Sequence, residues 1–175
     1  MKKFDYENKI YLDKLNDLSF SHYSKYIKYI KKYLPDKNSV FLDVGCGNGT
    51  VLKELKKNGY KNGFGAEISK LFIKQAKSKG LSNLAYYNGI NLPFKDNYFD
   101  LIGSFNVLEH SEQPEKFLEN QVLKLKKGGI LIVACPNFLS VLFPSYHRRL
   151  KGIGNKTRNL LLIFKNGMPV ICVIL

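Results

Sequence analysis

The chain has 175 residues, enough for one hydrophobic core and too few for two ordinary domains. Its 45% hydrophobic and 24% charged composition is that of a globular protein, and no run approaches the ~20 apolar residues of a membrane helix. The formal charge of +14 is uneven: residues 137–175 hold six Lys or Arg and no acid, so the body reads as a lysine-rich solvated surface and the tail leaves room for an anionic partner, a phosphate, RNA or lipid headgroup.

Apolar residues recurring at three and four predict a helix over 8–34, stopped by the Pro35-Asp36 turn. A strand is expected at 40–44, then a helix at 50–57 with Val51, Leu52 and Leu55 as its apolar face and Asn58-Gly59 at its end. A second strand at 63–68 leads to Ser69, a cap for a helix reaching about Lys79 and closed by Gly80. A third strand at 84–87 and a polar link precede a fourth at 99–105. Pro114 stands early in the next helix, where its missing N–H costs nothing, and Gly128-Gly129 is expected to end it. A fifth strand follows at 130–134. Strand–helix alternation of this kind predicts an α/β fold: a doubly wound, mainly parallel sheet with helices on both faces. Ligands of such sheets bind beyond the carboxyl ends of the strands, near the point where strand order reverses. That singles out Gly45, Glu67, Asn88, Asn106 and Pro136.

The most informative stretch is Val40-Phe41-Leu42-Asp43-Val44-Gly45-Cys46-Gly47-Asn48-Gly49-Thr50. It reads as a buried strand, a glycine-rich turn and a helix, in which main chain lies bare against a ligand. Asp43 just before the turn and Glu67 at the next strand end suit a ligand with a cation and a ribose, whose hydroxyls a carboxylate can accept. The dinucleotide fingerprint would place a glycine at position 50, where this chain has Thr50. The spacing matches D/E-x-G-x-G-x-G instead. Two further stretches join it: 87–100, containing Asn88-Gly89-Ile90-Asn91-Leu92-Pro93-Phe94, and Asn106-Val107-Leu108-Glu109-His110.

Together these resemble the class I S-adenosylmethionine-dependent methyltransferases, in particular small-molecule enzymes of the quinone-biosynthesis type, over about residues 38–137. The resemblance implies a Rossmann-like fold, S-adenosylmethionine as cofactor with S-adenosylhomocysteine as product, and in-line methyl transfer to a small-molecule or lipid-like acceptor. It implies cofactor contacts from Asp43, Gly45, Cys46, Gly47, Gly49, Glu67, Ile68, Asn88, Gly89, Phe105 and Asn106. Asn88 stands where the family usually has Asp, and its amide oxygen can still accept the adenine amino proton. His110 is the candidate general base, the side-chain type most often used for that role. Some relatives hold a divalent metal through Glu-x-x-Glu-His; Asn106 replaces the first Glu, so no metal is expected. Cys46 reads as a small filler of the turn.

Three parts are expected: a helical cap or lid over 1–36, a cofactor-binding body over 37–137 and a short basic segment over 138–175. Family sheets have seven strands, the last two a hairpin. Only 39 residues follow Pro136. The C-terminal strands are therefore expected to be incomplete, and a second copy of the chain is a candidate to complete the sheet. Alternatives are an RNA methyltransferase, on the basic run containing His147, Arg148, Arg149, Lys151, Lys156 and Arg158, and a non-catalytic cofactor-binding scaffold. The same run with Phe138, Leu139, Leu142 and Phe143 suits an anionic membrane surface. Cys46, Cys135 and Cys172 form neither a metal spacing nor an even disulfide framework, and the opening residues lack a signal peptide's apolar core; both point to the cytoplasm.

Overall fold

The structure is a computed structural model that describes residues 7–10, 13, 20–34, 36–135, 160–165 and 168–174, the last two stretches by their backbone. Helix α1 (Phe20–Tyr33) precedes β1 (Phe41–Val44), α2 (Thr50–Lys57), β2 (Gly63–Glu67), α3 (Lys70–Ser78) and β3 (Leu84–Tyr86). Then come β4 (Phe99–Phe105), a 3₁₀ turn (Leu108–His110), α4 (Pro114–Lys124), β5 (Leu125–Cys135), β6 (Leu160–Lys165) and β7 (Met168–Ile174). The sheet order is β3-β2-β1-β4-β5-β7-β6; every neighbouring pair is parallel except β6 with β7. The order reverses between β1 and β4, so the switch point lies at their carboxyl ends.

Local signals explain the elements. Ser69 caps α3 by accepting from the Phe72 N–H at 3.2 Å, and Gly80, with φ of 82°, ends it. Val51, Leu52 and Leu55 are the buried face of α2. The central strand β1 is buried along its whole length, as a parallel strand covered on both faces must be. One face packs Phe41, Leu101 and Ile132 under Tyr26 and Ile30 of α1, Leu34 just after it, and Leu52 and Leu55 of α2. The other packs Leu42, Val44, Ile102 and Leu131 under Phe117 and Val122 of α4. The expected class, a Rossmann-like doubly wound sheet with helices on both faces, is the class observed.

Two expectations are corrected. The helix expected to run to Gly128-Gly129 ends at Lys124, and β5 begins at once with Leu125, which is extended and pairs with Phe99. Residues 126–129 then bulge out before Ile130 pairs with Leu101, with Gly128 at φ of 80°. The two glycines thus shape a bulge and not a helix end. The C-terminal strands, expected to be incomplete, form a hairpin with two residues between its strands, and β7 joins β5 to give seven strands. Its runs of six and seven residues are of ordinary strand length and need no intervening helix. What is short is the connection, not the sheet. The gap that motivated a second copy is filled by the chain itself. The basic run from His147 to Arg158 lies outside the described residues, as do Pro136 and most of the expected helix before Phe20.

Candidate functional site

The turn after β1 is held to β2 by its backbone: the N–H groups of Gly45 and Cys46 both donate to the Ala66 carbonyl, at 2.8 and 3.2 Å. Gly45 has φ of 72°. A Cβ there would lie 2.3 Å from Val107 Cγ2, so the turn after β1 is pressed against the turn after β4. Asn48 Oδ1 accepts from the Thr50 N–H and hydroxyl and starts α2. Cys46 is buried, and its thiol is pushed well up, by burial before the charges of Asp43 and Glu67. Its Sγ lies 2.7 Å from where a Cβ of Gly65 would be, so its role is packing.

Two buried carboxyl groups flank this turn. Glu67 accepts three backbone N–H bonds: Oε2 from Gly47 at 2.8 Å, Oε1 from Ile68 at 2.8 Å and Ser69 at 3.0 Å. Asp43 alternates with Leu42 and Val44, so it faces the α1/α2 side, between Gly65 and Gly103 on the adjoining strands. Neither has an ion-pair partner among the described residues. Burial, and then the charge of Glu67, push Asp43 up to about 8. Glu67 is also raised by burial, with its three N–H bonds pulling the other way.

These shifts make stability pH-dependent. An unfolded Asp titrates near ~3.9, so between there and about 8 the folded chain holds a proton that the unfolded chain has lost. Stability is therefore fully present below the unfolded pKa and falls as pH rises to the folded one. The urea midpoint is expected to fall from pH 5 to pH 8 in the wild type, and Asp43→Asn should remove most of that slope. A wild-type midpoint constant over this range would refute the assignment.

Further along the strand ends, Asn88 is exposed and folds back on itself. Its Oδ1 accepts from the Ile90 and Asn91 N–H groups at 3.1 and 2.8 Å, so the oxygen expected to meet adenine already holds a turn. Gly89, with φ of 89°, lies beside Ile68: a Cβ would be 3.7 Å from its Cδ1. Asn106 adopts φ of 56°. Its N–H donates to the Ala134 carbonyl, and its Nδ2 donates to the Tyr26 hydroxyl at 2.7 Å. Tyr26 stacks on Phe105 with ring centroids 4.6 Å apart, and His22 meets Tyr26 edge-on at 6.1 Å. Three buried oxygens here have no hydrogen-bond partner among the described residues: Ser104 Oγ, Asn106 Oδ1 and Glu109 Oε2.

The structure thus gathers Asp43, Gly45, Cys46, Gly47, Glu67 and Ile68 around one turn and places Phe105 and Asn106 across from it. Gly49 is turned away, against Leu81 and Ala76. His110 is exposed, at the outer end of the 3₁₀ turn. From the sequence, Glu109, one residue earlier, enters only as the second Glu of the Glu-x-x-Glu-His pattern, and Tyr26 is one of six tyrosines between residues 6 and 33. A carboxylate directly beside the chosen histidine was the signal available. A cavity of about 320 Å³ lies elsewhere, among Asp36, Ser39, Asp100 and Lys126 at the amino ends of β1, β4 and β5.

Comparison with known proteins points to one family and fold. A family model described as a methyltransferase domain matches residues 42–133. The ubiquinone biosynthesis O-methyltransferase of Coxiella burnetii is 32% identical over 116 residues, 63% of this chain and 49% of that one. A solved S-adenosylmethionine-dependent methyltransferase from Aquifex aeolicus superposes with a TM-score of 0.60 at 28% identity, over 74% of this chain and 71% of the other. A candidate methyltransferase from Methanococcus maripaludis shares the fold over 99% of this chain and 96% of its own, at a TM-score of 0.67 and 15% identity. The chain spans about half the length of the curated relatives it matches.

Proposed function

Because the chain belongs to the methyltransferase-domain family of class I S-adenosylmethionine-dependent enzymes, we propose that it binds S-adenosylmethionine at the turn after β1 and directs its methyl group to a small-molecule acceptor. The observation that carries this reading is the pair of buried carboxyl groups, Asp43 and Glu67, around a glycine turn at the switch point. The cofactor brings a methyl group on a sulfonium, already a good leaving group.

The residues present fit such a ligand. Asp43 gains a compensating positive charge from a cationic ligand and is drawn into its ionised form. Glu67 uses three of the roughly four acceptor positions of a carboxylate on backbone N–H groups, which leaves one for a ribose hydroxyl. Gly45, Cys46 and Gly47 offer bare main chain, Ile68 and Gly89 an apolar wall for the base, and Phe105 and Asn106 close the far side. Asn88 supports adenine through the turn it holds. The protein's main task is to align donor and acceptor and exclude water, so a dedicated base is a secondary requirement. His110, exposed at the rim, is the group that hands a released proton to solvent. Helix α1 is the cap over the acceptor side, with Tyr26 on Phe105.

No described helix is long and apolar enough to cross a membrane, and the cytoplasm is the compartment we propose, on the cysteine pattern. Calorimetric titration with S-adenosylhomocysteine tests the reading. Micromolar binding with one molecule per chain is expected; no heat of binding from a folded sample would overturn it.

A further inference from the structure

We propose that the side of the sheet covered by α1, α2 and α3 is a docking surface for the phosphate backbone of a double-stranded nucleic acid, held by rows of exposed lysines. This goes beyond the methyl-transfer reading and does not depend on it.

The three helices lie side by side. Residues of α1 and α2 share one core cluster. Helices α2 and α3 are successive right-handed crossovers that step the same way, from β1 to β2 to β3, so they cover the same side. Ala76 of α3 stands against Gly49 at the start of α2, and Lys56 Nζ donates to the Gly80 carbonyl at 3.1 Å. Lys31 Nζ bridges from α1 to Asn58 Oδ1 at the end of α2, also at 3.1 Å. On each helix the lysines form a row. Lys28, Lys31 and Lys32 of α1, and Lys53, Lys56 and Lys57 of α2, recur at three and four; Lys70, Lys74 and Lys77 of α3 recur at four and three. All nine are exposed. Glu54, paired with Lys57, is the one acidic residue in these helices. Lys79, just after α3, is lowered by burial first and then by the charge of Lys53, so the second and third rows act on each other. Helix α4, on the opposite side, holds two Glu and two Lys. The fold thus gathers onto one side a surplus that the sequence spreads along the chain.

The choice of partner follows from what accompanies the charge. Lysines four apart on a helix repel each other, and each row contains such a pair. A small anion would relieve one row, whereas an extended polyanion relieves all three. An anionic membrane is extended too, but a helix face that rests on lipid adds large apolar side chains to its lysines. Among the described residues the exposed large apolar side chains are Ile10, Tyr86 and Leu123, all outside these helices. Single strands are gripped by exposed aromatic rings that stack on bases. Tyr23, Tyr29 and Tyr33 of α1 pack against the core instead. A duplex keeps its bases inside and presents phosphate, which lysine meets as a point charge without reading sequence. Helices α2 and α3 run from the carboxyl ends of the strands back to the amino ends. The rows therefore lie along the side of the sheet, and a duplex on them leaves the turn after β1 open.

The test is fluorescence anisotropy of a labelled DNA duplex of about 20 base pairs, titrated with the protein over a range of KCl. Micromolar binding at about 50 mM KCl is expected, weakening about 100-fold by about 200 mM, as about four neutralised phosphates require. A second duplex of unrelated sequence should bind equally. Lys53→Gln, Lys56→Gln, Lys74→Gln and Lys77→Gln together should weaken binding about tenfold or more and flatten its salt dependence. Their S-adenosylhomocysteine affinity should hold, and Lys116→Gln on α4 should change neither property. No binding of the duplex, tighter binding of either strand alone, or an unchanged salt dependence in the fourfold variant would overturn the surface. Vesicles of phosphatidylserine and phosphatidylcholine should bind more weakly than the duplex at equal salt; the reverse order would give the face to a membrane and overturn the proposal. Should the variant not fold, acetylation of the wild type decides. The duplex is expected to protect Lys53, Lys56, Lys74 and Lys77 and to leave Lys116 reactive, and equal labelling with and without it would sink the idea.

Discussion

Glu67→Ala is expected to abolish S-adenosylhomocysteine binding and to destabilise the fold by about 3 kcal/mol or more. The second effect separates this residue from an ordinary ligand contact. Its carboxylate ties the Gly47 N–H of the turn to the Ile68 and Ser69 N–H groups that open α3. Removing it orphans three donors, two of them at a helix start where no intrahelical partner exists. Glu67→Gln discriminates further. Its oxygen can keep the Ile68 and Ser69 bonds, but its NH₂ then faces the Gly47 N–H, donor against donor. It should retain most of the stability and lose the turn. Urea unfolding read beside calorimetry checks both variants. Binding unchanged in Glu67→Ala would remove Glu67 from the site; binding lost with stability untouched would mean that it serves the ligand alone.

Gly45→Ala is expected to cost about 2–4 kcal/mol, from two separable sources. A left-handed φ of 72° disfavours any Cβ by about 1–2 kcal/mol. The remainder is steric, because the added methyl would lie 2.3 Å from Val107 Cγ2. Valine is stiff at χ1, so relief requires the whole turn after β4 to retreat. That turn carries Asn106, a candidate cofactor contact, so S-adenosylhomocysteine binding should weaken as well. The double variant Gly45→Ala, Val107→Ala removes the clash and leaves the backbone strain. It should recover part of the loss, read as the urea midpoint relative to each single variant. No recovery in the double variant would mean that the two turns do not press on each other.

Much of this was legible in the sequence, for physical reasons that differ by element. The first two turns were readable because glycine spacing and a flanking carboxylate are local requirements: Gly45 needs its positive φ, and Glu67 stands at a strand end that periodicity alone locates. The limits of α3 were written in Ser69 and Gly80, whose chemistry acts within three residues. The start of β5 was not legible. Gly128 serves a bulge as well as a helix end, and only the pairing of Leu125 with Phe99 distinguishes them. The contact between Asn106 and Tyr26 joins residues 80 apart in sequence, and no local pattern announces it. For the same reason the sequence does not separate Glu109 from His110: composition shows which groups can titrate, whereas only the fold shows that the first is partly enclosed and the second exposed. The two apolar runs of the closing hairpin are visible in the sequence, but the pairing of β7 with β5 is not, because it joins segments far apart in the chain.

The bulge in β5 has a practical side. Lys127 and Gly128 are exposed, nothing lies within 4 Å of where a Gly128 Cβ would stand, and the Lys126–Asp100 ion pair pins the strand just before it. The loop sits at the amino ends of the strands, at the opposite pole of the sheet from Asp43 and Glu67. Chain length there is decoupled from the register of β4 with β5, which resumes at Leu101 and Ile130 whatever the loop contains. It is the place to lengthen the chain, to graft an epitope or to carry a fluorophore, with the pole of Asp43 and Glu67 left unaltered as the internal control.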